Sequence, residues 1–77
     1  MDPNETWNEL IEAIIARSRL DARMIASDLL TWLDRGGFPP SVSLQRVSPE
    51  WQTMLCRRIC QCVIAAPTEF WSKSNEC

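Results

Sequence analysis

The chain contains no histidine and only two glycines. Without histidine it lacks the commonest general base and one of the usual ligands of zinc. With so little glycine it has no loop to cradle a phosphate. Gly36-Gly37 follows a helical pattern rather than a strand, and no Gly-Lys-Ser/Thr ending comes after it. No apolar run approaches the roughly 20 residues that cross a bilayer. The opening Met1-Asp2-Pro3-Asn4-Glu5 is acidic where a signal peptide would be basic. The expectation is therefore a cytoplasmic protein with reduced cysteines and no membrane contact. Lysine is also scarce, at one residue against seven arginines, and the net charge is −2. That balance gives no bulk attraction to phosphate backbones or anionic lipid. Internal repeats and low-complexity segments are absent as well.

What remains is short and greasy. The 77 residues make one domain at most, near the lower size limit for folding alone. An apolar fraction of 45% rules out disorder for the bulk of the chain. Four tryptophans and two phenylalanines are a heavy aromatic load for this size. Each tryptophan can bury 150–250 Å², or about 4–6 kcal/mol of gross transfer energy per ring.

The pattern is helical throughout. Asp2-Pro3-Asn4-Glu5 combines a cap, a proline suited to the first turn and a capping-box glutamate. Trp7, Leu10, Ile11, Ile14 and Ile15 then recur at helical spacing, which predicts a first helix over about residues 3–17. Ser18 to Asp21 is polar and offers new caps, so a break is placed there. One continuous helix over 3–35 stays open on spacing alone. The second helix runs to about Arg35 with a stripe of Ala22, Ile25, Ala26, Leu29, Trp32 and Leu33. Met24 and Leu30 fall outside that stripe, so more than half its circumference is apolar, more than one neighbour covers. Gly36 and Gly37 suit a Schellman stop, Phe38 is placed to fold back on the last turn, and Pro39-Pro40 keep the backbone extended. The connector of about a dozen residues to Ser48 is long, and Phe38, Val42, Leu44 and Val47 give it side chains with which to dock. Ser48-Pro49-Glu50 restarts the helix. Trp51, Leu55, Ile59, Cys62, Val63 and Ala66 are the expected buried stripe, with Arg57, Arg58 and Gln61 away from it. Pro67 ends this third helix, and Phe70-Trp71 is expected to dock.

The cysteines give C-x3-C-x-C followed by a distant fourth. On one helix Cys62 is turned roughly 160° from Cys60, so three thiolates do not converge on one ion. A Cys56–Cys60 disulfide also fits poorly, because helical i, i+4 positions hold their Cβ atoms about 5–6 Å apart. The reading is Cys62 as a small core residue, Cys56 flanking the core, and Cys60 and Cys77 incidental; a metal or redox use is the lesser alternative. Arg57-Arg58, with Arg46 nearby, reads as a solvated face. A helix-turn-helix needs a tight turn, and the only short connection leads into a helix carrying Asp21, Asp28 and Asp34.

These observations point to an all-α domain over residues 1–71: a helical hairpin, a third helix after a long docked loop and a short C-terminal helical turn, with 72–77 as a flexible tail. No catalytic residue, cofactor or metal is assigned. The function class is a small protein–protein interaction module, a homodimer or a small subunit of a larger assembly, with Met24, Leu30, Trp32, Phe38, Phe70 and Trp71 as the candidate interface. A small nucleic-acid-associated regulator is the alternative, followed by a thiol-based metal or redox sensor.

Overall fold

A computed structural model describes residues 1–41 and 47–72. Among them are four helices and no strand: α1 (Pro3–Ile15), α2 (Arg19–Asp34), α3 (Pro49–Ala65) and α4 (Thr68–Ser72). The protein is all-α. Two of the helix starts follow the local signals. The Asp2 carboxylate accepts from the N–H groups of Asn4 (3.0 Å) and Glu5 (3.4 Å), and the Ser48 hydroxyl accepts from Trp51 N–H (3.4 Å). Pro3 and Pro49 fill the first turns, where their missing N–H groups are not needed. Ser18 behaves differently: its hydroxyl donates to the Asp21 carboxylate (2.9 Å) and caps no backbone group.

The break between α1 and α2 is real, and its device is a Schellman motif without glycine. Ser18 N–H donates to the Ala13 carbonyl and Arg17 N–H to the Ile14 carbonyl, with Arg17 at φ 57°. A left-handed non-glycine residue costs roughly 1–2 kcal/mol. The Arg17 guanidinium offsets part of this by donating to the Phe70 carbonyl at 3.3 Å. The same motif closes α2 with glycine in the left-handed place. Gly36 sits at φ 84°, Gly36 N–H donates to the Leu33 carbonyl and Gly37 N–H to the Trp32 carbonyl. Trp32 Nε1 then donates to the Phe38 carbonyl (2.8 Å), and the Phe38 ring stands edge-on to Trp32 at 5.8 Å. Phe38 does fold back, yet it remains 62% exposed.

Gly37 lies flat under the Trp32 indole. A Cβ there would come within 2.6 Å of Cδ2 of that ring. Gly37→Ala is therefore expected to cost about 1–3 kcal/mol through overpacking. It should also break the bond from Trp32 to Phe38. Urea melts followed by tryptophan emission would show both effects together; an unchanged midpoint would mean the indole has room to move.

The residues that follow α2 return to the start of α1, since Ser41 N–H donates to the Asn4 side chain (2.7 Å). Helices α1 and α2 thus run in opposite directions, as the short connection predicts. The α2–α3 pair is also antiparallel: Arg57 pairs with Asp34 at 2.7 Å, and Ile64 lies beside Leu20 and Met24. Both α1 and α3 pack along α2, with no comparable contact between them. This arrangement explains the broad apolar girdle of α2, which has two neighbours to satisfy. The core comprises Trp7, Leu10 and Ala13 of α1, Ala22, Ala26, Leu29 and Leu33 of α2, Cys56, Cys60 and Val63 of α3, and Trp71 of α4. The protein measures 38 × 25 × 18 Å. At about 10–12 Å per helix diameter, its thin dimension holds less than two full layers.

The expected stripes of α1 and α2 face the core at Trp7, Leu10, Ala22, Ala26, Leu29 and Leu33, with Ile11, Ile14, Ile25 and Trp32 partly buried against it, and depart from expectation at one edge of α1. In α1 the buried row is Trp7, Leu10 and Ala13, while Ile15 is 74% exposed. The connector is held by buried Pro40 and by the Ser41–Asn4 bond rather than by Phe38 or Val47, both exposed. Val42 and Leu44, also expected to dock, lie outside the described residues, as do residues 73–77 of the expected tail. Helix α4 reaches Ser72, one residue into the segment assigned to that tail.

Candidate interaction surface

The largest departure from the sequence reading is the orientation of α3. The face turned to α2 carries Cys56, Cys60 and Val63, and the face turned to solvent carries Trp51, Leu55, Ile59 and Cys62. At 100° per residue, these two faces are roughly 120° apart. The physical reason lies in the partner helix. The register set by Arg57–Asp34 and by Ile64 beside Met24 places Cys56 and Cys60 about level with Leu33 and Leu29. Small thiols leave space for those two leucines, whereas Leu55 and Ile59 in the same positions would hold the helices apart. Cys56 and Cys60 are thus core residues and Cys62 is exposed, where Cys62 was expected in the core, Cys56 at its flank and Cys60 incidental.

Cys56 and Cys60 sit one helical turn apart on α3. Side-chain hydrogen bonding from Cys60 favours the Cys56 thiolate and holds that thiol below its ordinary range, against the opposing effect of burial, with Arg57 helping to lower it. The influence of Cys56, reinforced by burial, pushes the Cys60 thiol above that range. Among the described residues, no group of three or more His, Cys, Asp or Glu side chains is placed to hold a metal ion. Cys77 lies outside those residues. Among the described residues no helix is long and apolar enough to cross a membrane.

The exposed face of α3 continues into a groove of about 430 Å³ lined by Ile14 of α1, Ile59, Cys62 and Val63 of α3, and Pro67 and Phe70 beyond it. Helix α4 forms this end of the surface. Its Trp71 is 6% exposed and belongs to the same buried cluster as side chains of α1, α2 and α3, while Phe70 is exposed. The two rings stand edge-on at 5.1 Å. Trp71 Nε1 is buried with no hydrogen-bond partner among the described residues, so apolar packing rather than polar bonding holds the ring there. Arg58 is the charged residue at the groove.

The six residues proposed from sequence do not form one patch. Met24, 66% exposed, lies with Leu20 and Ile64 in a separate shallow cleft between α2 and α3. Leu30 and Trp32 are partly buried against the core, and Trp32 is engaged in the α2 stop. Phe38 is exposed at the far end of α2. Phe70 belongs to the groove, and Trp71, expected to contribute to the interface, is 6% exposed and part of the core cluster. The sequence reading missed Trp51, Met54, Leu55 and Ile59 by assigning three of them to the core. The available signal was the second apolar row on α3 at Cys56, Cys60 and Val63, which leaves a choice of which face turns inward.

No protein-family model, curated protein or solved structure matches the chain.

Proposed function

We propose that this protein is a small non-catalytic interaction module that works by covering the outer face of α3 with another protein surface, as a homodimer or as a small subunit of a larger assembly. One observation carries this reading: α3 turns its bulkier apolar side chains to solvent and its smaller ones to the core. Trp51 is 56% exposed, Met54, Leu55 and Ile59 are exposed along the same helix, and Phe70 is exposed beyond its end. Contiguous apolar surface of this kind marks interaction sites, and tryptophan is prominent among residues that dominate binding energy. The charge pattern supports a protein partner over a nucleic acid. Glu9, Glu12, Asp21 and Asp28 line one groove between α1 and α2 and would repel phosphates. A cytoplasmic location with reduced thiols is part of the same proposal.

The test is the double substitution Leu55→Glu and Ile59→Glu. Both side chains lie outside the core cluster and are 37% exposed, so each change should cost about 1 kcal/mol and leave the protein folded. Light scattering across a dilution series and affinity purification from the native cell, with wild type and variant side by side, should show self-association or partner retention lost in the variant. An unfolded variant would place the two residues inside the fold. A wild type that is monomeric at every concentration, and retains nothing the variant does not, would remove the basis of the proposal.

A further inference from the structure

We infer that the occupant of the α3–α4 surface is an amphipathic helix of a different protein, laid along α3 with a carboxylate against Arg58. This inference rests on the reading of that face as a docking surface and names what docks there. Three observations select the occupant. The first is length. The row from Trp51 to Ala66 extends about 22 Å at 1.5 Å per residue, well beyond the groove at its end. A small ligand would fill the groove and leave Trp51 and Leu55 uncovered; a helix of about four turns covers the whole row in the helix-in-groove manner.

The second is charge. Within this apolar row the charged side chain is Arg58, and it forms no ion pair or hydrogen bond among the described residues. Its neighbour Arg57 is already committed to Asp34 at 2.7 Å. An occupant that covers the row must meet the Arg58 guanidinium, and a carboxylate on the polar edge of its own apolar face is the group that matches it.

The third disfavours a second copy. Arg58 falls near the midpoint of the row. A two-fold axis pairing α3 with α3 of another copy in antiparallel register would bring Arg58 against its own symmetry mate. Like charges facing each other in a desolvated contact are unfavourable. Residues 73–77, which follow α4 in the sequence, contain no large apolar side chain that could fill the groove.

The experiment uses the full chain and two fluorescein-labelled 15-residue probe peptides. Both carry leucines at i, i+3, i+7 and i+11. One has glutamate at a central flanking position, and the other has lysine there. Anisotropy titrations at low salt are expected to favour the glutamate peptide by about tenfold or more, with the gap narrowing in 0.5 M salt. Arg58→Glu, a surface change that leaves the fold intact by circular dichroism, should reverse the ranking. Leu55→Glu with Ile59→Glu should abolish binding of both peptides. Equal affinity for the two peptides, unchanged in Arg58→Glu, would overturn the carboxylate match while leaving the docking face standing. Failure of both peptides to bind, with a wild-type dimer dispersed by Leu55→Glu and Ile59→Glu, would install a second copy in place of the helix. Failure of both with a monomer at all concentrations would remove this inference, and the proposed function falls with it when the native-cell purification also retains nothing.

Discussion

Leu29→Ala should bring this protein close to unfolding. Leu29 is fully buried on α2, the helix against which both α1 and α3 pack. Its truncation removes transfer energy and leaves a cavity that two neighbouring helices cannot both close, at a cost of about 2–5 kcal/mol. A chain of this length has roughly 4–12 kcal/mol in total at 0.05–0.15 kcal/mol per residue. The measurement is a urea titration followed by circular dichroism, with Ile15→Ala as the comparison. Ile15 is also a large aliphatic residue of the helical hairpin, but it is exposed, so its loss should stay within about 0.5 kcal/mol. Similar shifts for the two variants would contradict the description of α2 as the shared helix.

The second large effect concerns two tryptophans that the sequence does not distinguish. Trp71→Ala is expected to cost about 3–5 kcal/mol. Its ring is the buried side chain by which α4 joins the core, and its loss should release α4 and with it the bond from Arg17 to the Phe70 carbonyl. Arg17 would then keep its left-handed backbone without that compensation. Trp51→Ala, by contrast, should alter the melting temperature only slightly while weakening whatever binds the outer face of α3. Stability and binding measured on the same pair of variants separate the two roles. If Trp51→Ala proves the more destabilising, α3 is turned the other way. Trp71→Phe offers a milder probe, since it retains an aromatic ring and removes an indole N–H that has no partner among the described residues.

The contrast between these tryptophans shows what could be read from the residues and what could not. Helix ends were legible because their chemistry is local. Asp2-Pro3, Ser48-Pro49 and Gly36-Gly37 each meet a backbone need within a few residues, and each does so in the structure. The stop at Arg17 was less visible because no glycine announces it; there an ordinary residue adopts a left-handed conformation that a contact from Phe70, far along the chain, helps to hold. The faces were harder still. Periodicity identifies an apolar row but does not say which of two rows on α3 turns inward. That choice depends on how closely α2 must be approached, and Cys56 and Cys60 settle it by being small. Since the interface candidates were whatever the assumed core left over, an inverted α3 moved them too. Trp71 went inside, and Trp51, Leu55 and Ile59 came out.

The packing of α2 between its two sequence neighbours also bears on kinetics. Each half of the core joins segments that are adjacent along the chain, so little loop entropy opposes the first encounters. Such low contact order places a chain among the fast folders, in the microsecond-to-millisecond range. The docking of Trp71 into the core, with Arg17 reaching the Phe70 carbonyl, is the outlier, since it must wait for the far end of the chain to arrive. It is the contact most suited to form after the rate-limiting barrier, so its removal should hasten unfolding while leaving the refolding rate nearly untouched.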